Sequence, residues 1–197
     1  MQKVLSVFLF FSLILLTKNI MIEIKSSISL LSISKLVLLY AYSFIIYKEL
    51  RQEFDKTFYI SWIHSFFPLT LMFVIDVNIY NYSSLLLKYI GIYIVLYSIF
   101  LLKSNFSLTP IIPDKIVSKG LYRVIRHPIY FGNILLFSAS IFEVETFQLQ
   151  MINISLTSAY IALSVMRIKI EEKVLLKSKL YRQYTTETKK KLIPLIY

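Results

Sequence analysis

The feature that most constrains this chain is its succession of long apolar runs, which are separated by short charged segments. Hydrophobic residues make up 57% of its 197 residues, and its mean hydropathy is +0.67, which is too apolar for an ordinary soluble domain. A run of about 20 apolar residues crosses a bilayer as a helix, because a helix satisfies all its own backbone polar groups. The sequence therefore predicts an all-α, polytopic transmembrane helical bundle that forms one membrane domain over residues 1–197.

Six runs are candidate spans: Val4–Leu16, Ile28–Tyr47, Phe58–Ile75, Ser84–Leu102, Pro128–Phe142 and Phe147–Met166. The first run is short, but no small-residue cleavage site follows it, so we interpret it as an uncleaved span that reaches as far as Ile24. Six spans are therefore predicted, with five as the alternative. Because only Glu143–Thr146 separates the last two runs, they are predicted to form a helical hairpin.

The basic residues are distributed unevenly along the chain. If both termini are cytoplasmic, 18 of the 22 Lys and Arg residues lie on the cytoplasmic side, as the positive-inside rule requires. This topology places the loop Lys103–Arg126 and the basic tail Arg167–Tyr197 on that side. The net charge of +11 is then explained by topology and by contact with anionic lipid, and no nucleic-acid partner is predicted.

The side-chain inventory narrows the possible chemistry. The chain has no Cys and two His, which excludes disulfides and thiol chemistry and argues against a zinc site. No metal ion is predicted.

The segment Gly120–Gly132, GLYRVIRHPIYFG, concentrates two of the three Gly residues and one of the five Pro residues. Pro128 suits the first turn of a helix, where its missing N–H costs nothing. His127, with Arg126 beside it, then lies just before a helix start, where unpaired N–H groups and the positive end of the helix dipole favour anions. We interpret this junction as the holder of the charged part of a cofactor at a membrane surface.

A second charged cluster, Arg167–Glu172 (RIKIEE), lies at the cytoplasmic end of the last predicted span. Arg167 and Glu171 are four residues apart and share a helix face, whereas Glu172 aligns less well with Arg167. A hairpin that returns to the same side of the membrane can bring this cluster to the first one.

The two clusters together resemble a known family. The pattern G-x-Y-x-x-x-R-H-P-x-Y-x-G is met by Gly120, Tyr122, Arg126, His127, Pro128, Tyr130 and Gly132. The pattern R-x-x-x-E-E follows at Arg167, Glu171 and Glu172, and a tail with paired Tyr and a late Pro follows at Tyr181, Tyr184 and Pro194. Residues 84–197 thereby resemble the isoprenylcysteine carboxyl methyltransferases and their relatives among phospholipid methyltransferases. Residues 1–83 would be N-terminal spans, and residues 84–197 the methyltransferase-like core.

The resemblance implies an integral membrane methyltransferase that uses S-adenosylmethionine. Its pocket would face the cytoplasm between the last two spans, the preceding loop and the tail. The cofactor-binding residues it implies are Gly120, Leu121, Tyr122, Arg126, His127, Tyr130, Glu171 and Glu172. Arg167, nearest the substrate's polar head, and Glu171 are the implied catalytic residues. The acceptor would be a membrane-embedded, lipid-like molecule such as a prenylated cysteine carboxylate, and the sequence leaves open whether oxygen, nitrogen or sulfur receives the methyl group.

Two alternative functions remain open at this point. Membrane sterol reductases, which bind NADPH, carry a similar G-L-x-R-x-x-R-H-P-x-Y-x-G stretch, but the short chain and the adjacent carboxylates favour the methyltransferase. A small transporter or membrane scaffold would need polar residues at mid-membrane depth, and only His64 and Lys35 are candidates for that role.

Overall fold

A computed structural model describes residues 82–107, 110–144 and 146–193 of the chain. The three N-terminal predicted spans, with Lys35 and His64, lie outside the described residues, as does Pro194. Within the described ranges every regular element is helical, as predicted. The α-helices are α1 (Tyr82–Leu102), α2 (Pro128–Ser140), α3 (Phe147–Leu175) and α4 (Lys179–Glu187), with 3₁₀ turns at Lys103–Asn105 and Gly120–Arg123.

Two of these helices, α1 and α3, are long and apolar enough to cross a membrane. Helix α2 is shorter than its apolar run, because the chain leaves the helix after Ser140 through tight turns in which the Ile141 and Phe142 N–H groups donate to Ser138 and Ala139. Its 13 residues extend about 20 Å, less than the roughly 30 Å of a hydrocarbon core.

Helix α3 continues nine residues beyond Met166, where the last apolar run was predicted to end. The segment Arg167–Leu175 contains no Gly or Pro and is rich in Arg, Lys, Glu and Leu, which favour helix. Nothing therefore stops the helix at the edge of its apolar part. As a result, the charged cluster Arg167–Glu172 lies on rigid helix rather than in a separate tail.

The predicted hairpin of α2 and α3 is present, and its helices are antiparallel. Asn153 Nδ2 donates to the Ser140 carbonyl over 2.8 Å, and Thr157 Oγ1 donates to the Phe137 carbonyl over 3.3 Å. One turn further, the rings of Phe137 and Tyr160 stack with centroids 4.4 Å apart. This pairing carries the end of α3 back to the start of α2.

A buried ion pair fixes the opposite end of the bundle. Lys88 Nζ of α1 lies 2.7 Å from Glu143 Oε2, just after α2, and Ser84 Oγ donates to Glu143 Oε1 over 3.1 Å. The sequence placed Lys88 inside a span but did not identify its partner. The available signal was an acidic residue in the short link at the same end of the hairpin.

Candidate functional site

The junction before α2 is shaped by backbone geometry. Gly120 begins the 3₁₀ turn with a φ of 59°, in the left-handed region that glycine adopts without strain. A Cβ at this position would also lie 2.8 Å from Leu101 Cδ1 of α1. Pro128 is the first residue of α2 and His127 is its N-cap, as predicted.

Arg126 and Glu172 form a buried, two-pronged ion pair at the centre of the site. Arg126 Nε donates to Glu172 Oε1 over 2.7 Å, and Nη2 donates to Oε2 over 3.1 Å. Both side chains are less than one-tenth exposed. Such paired geometry is the strongest form of arginine–carboxylate contact.

Glu172 also has three further partners. His127 Nε2 and the Tyr181 hydroxyl each lie 3.3 Å from Oε1, and Lys191 Nζ lies 3.5 Å from Oε2. Since an ionised carboxylate only accepts hydrogen bonds, the proton between His127 and Glu172 belongs to Nε2. The carboxylate of Glu172 is thus surrounded by donors from the junction, from α4 and from the tail.

The tail after α4 lies across the junction as a strap, Thr188–Lys191. The Arg126 and His127 N–H groups donate to the carbonyls of Lys190 and Lys191 over 3.0 and 2.8 Å. Arg126 Nη1 also donates to the carbonyls of Thr188 and Lys189 over 2.8 and 3.1 Å. Sequence reasoning missed this strap, because most of its contacts to the junction are made by backbone carbonyls, which leave no residue signature.

Helix α4 is held beneath the strap by its paired tyrosines. Tyr184 donates its hydroxyl to the Tyr122 carbonyl, and its ring lies 5.6 Å from that of Tyr181. Burial raises the pKa of Tyr184 to about 12, and burial together with the charge of Glu172 raises the pKa of Tyr181 further. These phenols are therefore neutral hydrogen-bond donors at physiological pH.

The pKa of Arg126 is set by its burial and by its carboxylate partner, Glu172. Burial alone would lower the pKa of Arg126, but the hydrogen bonds and the charge of Glu172 outweigh it and raise that pKa. The guanidinium therefore stays charged inside the protein, which keeps the strap and the junction together.

Glu171 faces a different set of residues from Glu172. Its Oε2 accepts a hydrogen bond of 2.6 Å from the Tyr130 hydroxyl, and Tyr130 also hydrogen-bonds Arg167. The Tyr130 ring stacks on His127 with centroids 5.6 Å apart. Arg167 is buried, whereas Glu171 is half-buried and borders the surface.

The structure brings most of the predicted site residues together. Six of them form two hydrogen-bonded groups, which are joined by the stacked rings of His127 and Tyr130: Arg126, His127 and Glu172 in one, and Tyr130, Arg167 and Glu171 in the other. The Tyr122 carbonyl lies beside these groups and accepts from the Tyr184 hydroxyl. Gly120 and Leu121 instead build the turn: Gly120 faces Tyr97 and Leu101 of α1, and the Leu121 carbonyl accepts from two following N–H groups.

The described residues contain no group of three or more His, Asp or Glu side chains placed to hold a metal ion. The groups that the site presents are carboxylates, aromatic rings and two arginines.

Comparison with known proteins agrees with this geometry. Residues 84–177 match the model of the isoprenylcysteine carboxyl methyltransferase (ICMT) family, a range that contains both charged clusters and the helices that carry them. No curated protein matches the chain. The match favours neither the reductase nor the transporter alternative. Together with the apolar helices α1 and α3, it is consistent with a membrane protein. This match, together with the two motifs that the fold joins, supports membership of the segment 84–177 in the isoprenylcysteine carboxyl methyltransferase family.

Proposed function

We propose that this protein is an integral membrane methyltransferase that uses S-adenosylmethionine to methylate a membrane-embedded, lipid-like acceptor. The observation that carries the proposal is the hydrogen bond of 2.6 Å between Tyr130 and Glu171. It joins the start of α2 to the end of α3, so that two clusters about forty residues apart in sequence form one site. The family match supplies the reaction class.

The residues of this site suit the parts of S-adenosylmethionine. The cofactor supplies a methyl group activated by a sulfonium, and it carries an ammonium group, a carboxylate, ribose hydroxyls and a flat purine. Glu171 is a half-buried carboxylate at the edge of the network, which is where an ammonium group can be bound. The stacked rings of His127 and Tyr130 offer an aromatic surface, and cations are attracted to aromatic faces.

The two adjacent carboxylates would then have different roles. Glu172 was predicted to bind the cofactor, but its oxygens accept from Arg126, His127 and Tyr181. We therefore assign Glu172 to positioning: it fixes the junction and the strap, and it holds the His127 ring. Glu171, which is more exposed, would contact the cofactor directly.

Arg167 would orient the acceptor. It is buried next to Tyr130, one helical turn before Glu171, and a guanidinium can bind a substrate carboxylate through two parallel hydrogen bonds. A carboxylate acceptor is already ionised at pH 7, so the protein needs only to align the reactants and exclude water, and alignment can contribute about 7–11 kcal/mol. An amine acceptor would in addition need a base, and Glu171 is placed for that role.

The proposal includes a membrane setting with six spans and with the site on the cytoplasmic side. The excess of Lys and Arg on the segments that flank the site supports this orientation. A lipid-like acceptor would approach laterally between helices, because its tail gains nothing by leaving the bilayer.

Calorimetric titration of the detergent-purified, full-length protein tests the class. Saturable binding of S-adenosylmethionine, with none of NADPH, is expected, followed by transfer of a labelled methyl group to a prenylated cysteine analogue or to phosphatidylethanolamine. The variant His127→Ala is expected to bind the cofactor more weakly while remaining folded. Binding of NADPH alone would identify a reductase. Binding of neither compound to a folded sample would overturn the proposal.

A further inference from the structure

The end of α3 carries a lysine face that the proposed reaction does not use. Lys169 and Lys173 of α3 and Lys177 of the turn that follows it are exposed and lie four residues apart in sequence. The exposed apolar side chains of Met166 and Leu176 lie near them in sequence. The opposite face of the same turns is buried and carries the site: Arg167, Ile168, Glu172 and Leu175. These turns of α3 thus have one buried side that carries the site and one exposed side that carries basic and apolar residues.

We propose that this lysine face binds the phosphate groups of anionic phospholipids in the bilayer that surrounds the protein. The inference rests on the proposed function only for the placement of α3 across a membrane. It assigns no role in catalysis to the lysines, and it names an interaction surface that the reaction itself does not require.

The length of α3 sets the depth of the face. Its 29 residues extend about 43 Å, whereas a hydrocarbon core is about 30 Å thick and a bilayer with its headgroups about 40–45 Å. If Phe147 lies at one edge of the core, the apolar part of the helix ends near Met166. The turns that follow, with Lys169 and Lys173, then lie in the headgroup layer, where lipid phosphates are located.

The charges of the face are not balanced within the described part of the protein. Lys88 and Lys191 form ion pairs with buried glutamates, but none of the ion pairs there includes Lys169, Lys173 or Lys177. Like charges four residues apart on a helix repel each other. An external anion would relieve this repulsion.

The helix dipole accounts for only part of the pattern. Cations in the last turn of a helix are favourable, which suits Lys173, the basic residue in the last turn of α3. Lys169 lies nearly two turns before Leu175 and is beyond the range of that effect. Exposure of the apolar side chains of Met166 and Leu176 to water is unfavourable. In a bilayer they can enter the boundary between headgroups and acyl chains, while the lysines extend toward the headgroups.

Lipid selectivity measured by electron paramagnetic resonance tests the proposal. The full-length protein is reconstituted in phosphatidylcholine bilayers without any methyl donor, and the immobilised fraction of spin-labelled phosphatidylglycerol is compared with that of spin-labelled phosphatidylcholine. The wild type should prefer the anionic lipid. The triple variant Lys169→Gln/Lys173→Gln/Lys177→Gln should lose most of this preference, since each lysine at an anionic surface favours association about fivefold.

A matched control removes the same charge elsewhere. The variant Lys115→Gln/Lys119→Gln/Lys189→Gln replaces three exposed lysines outside the face and should keep most of the preference. Equal loss in both triple variants, or no preference in the wild type, would overturn the proposal. Wild-type protein that binds soluble polyglutamate without preferring the anionic lipid would instead have a site for a soluble acidic partner.

This test is independent of the methyltransferase assignment. Lipid preference without binding of S-adenosylmethionine would refute the proposed reaction and leave the lysine face in place. Binding of S-adenosylmethionine without lipid preference would do the reverse.

Discussion

Gly91 of α1 and Gly132 of α2 lie directly opposite each other where the two helices cross. A Cβ on Gly91 would lie 2.8 Å from the Gly132 carbonyl oxygen, and a Cβ on Gly132 would lie 2.9 Å from the Gly91 carbonyl oxygen. Both neighbours are backbone atoms, which cannot move aside as a side chain can. The last Gly of the G-x-Y-x-x-x-R-H-P-x-Y-x-G pattern therefore permits close helix packing, as small residues do between membrane helices, and it holds α2 in position below the site.

Alanine at Gly132 should therefore destabilise the protein. We expect a loss of about 1–3 kcal/mol from overpacking, although alanine would raise helix propensity by up to about 1 kcal/mol. Thermal unfolding in detergent, followed by circular dichroism, measures the change. Ser155→Ala, on an exposed part of α3, is the control and should have little effect. A Gly132→Ala variant as stable as the wild type would show that the helices do not cross this closely.

Breaking the ion pair between Arg126 and Glu172 should release the strap. Glu172→Gln leaves a buried guanidinium without a charge partner, which typically costs about 3–5 kcal/mol, and Arg126→Lys cannot keep the two-pronged contact. Hydrogen exchange at the Arg126 and His127 amides, which donate to Lys190 and Lys191, reports on the strap directly.

Those two amides should exchange faster in both variants than in the wild type. The exposed Glu187, replaced by Gln, is the matched control and should leave their exchange unchanged. Unaltered protection in Glu172→Gln would mean that the strap is held without the ion pair.

The ion pair between Lys88 and Glu143 should behave as a unit. Replacing Lys88 by Met leaves the buried Glu143 carboxylate without its charge partner. The free energy of unfolding should fall by about 3–5 kcal/mol. The double variant Lys88→Met/Glu143→Leu should be more stable than either single variant, since no charge is then left unpaired. Denaturant unfolding of all three variants measures the coupling, and strictly additive losses would contradict it.

Ionisation of Tyr184 should make the protein less stable at alkaline pH. Because burial raises the pKa of Tyr184 from 10 to about 12, the unfolded chain releases this proton at lower pH than the folded protein does. The contribution of the neutral Tyr184 side chain to the stability of the fold is therefore complete below pH 10 and is lost as the pH rises toward 12. The melting temperature should fall over that range, and it should fall less steeply in Tyr184→Phe. Tyr82→Phe, at a site that is 90% exposed, should keep the slope of the wild type.

Much of the site could be predicted because its residues have strong local preferences. Pro128 marks the helix start, the short link Glu143–Thr146 requires a hairpin, and both follow from backbone chemistry alone. A hairpin of that kind returns Arg167–Glu172 to the junction whatever the packing details are. The end of α3 was less predictable, because polarity marks the edge of an apolar run and not the end of a helix.

The division between Glu171 and Glu172 could not be predicted. Neighbouring residues on a helix are about 100° apart and so face different partners, but the sequence does not say which partners. The answer depends on where the strap Thr188–Lys191 lies, and its backbone contacts have no sequence signature. The different contacts of the two glutamates therefore emerge only from the packed structure.

If the contact between Tyr130 and Glu171 lies at the cofactor site, the variant Glu171→Gln should bind S-adenosylmethionine more weakly than the wild type does. Calorimetry on the full-length protein should show binding weakened about 10- to 100-fold, the effect of losing a hydrogen bond to a charged group. Glu187→Gln, which removes the same charge from an exposed position on α4, should bind like the wild type. Wild-type affinity in Glu171→Gln, with the fold intact, would contradict the assignment of this site.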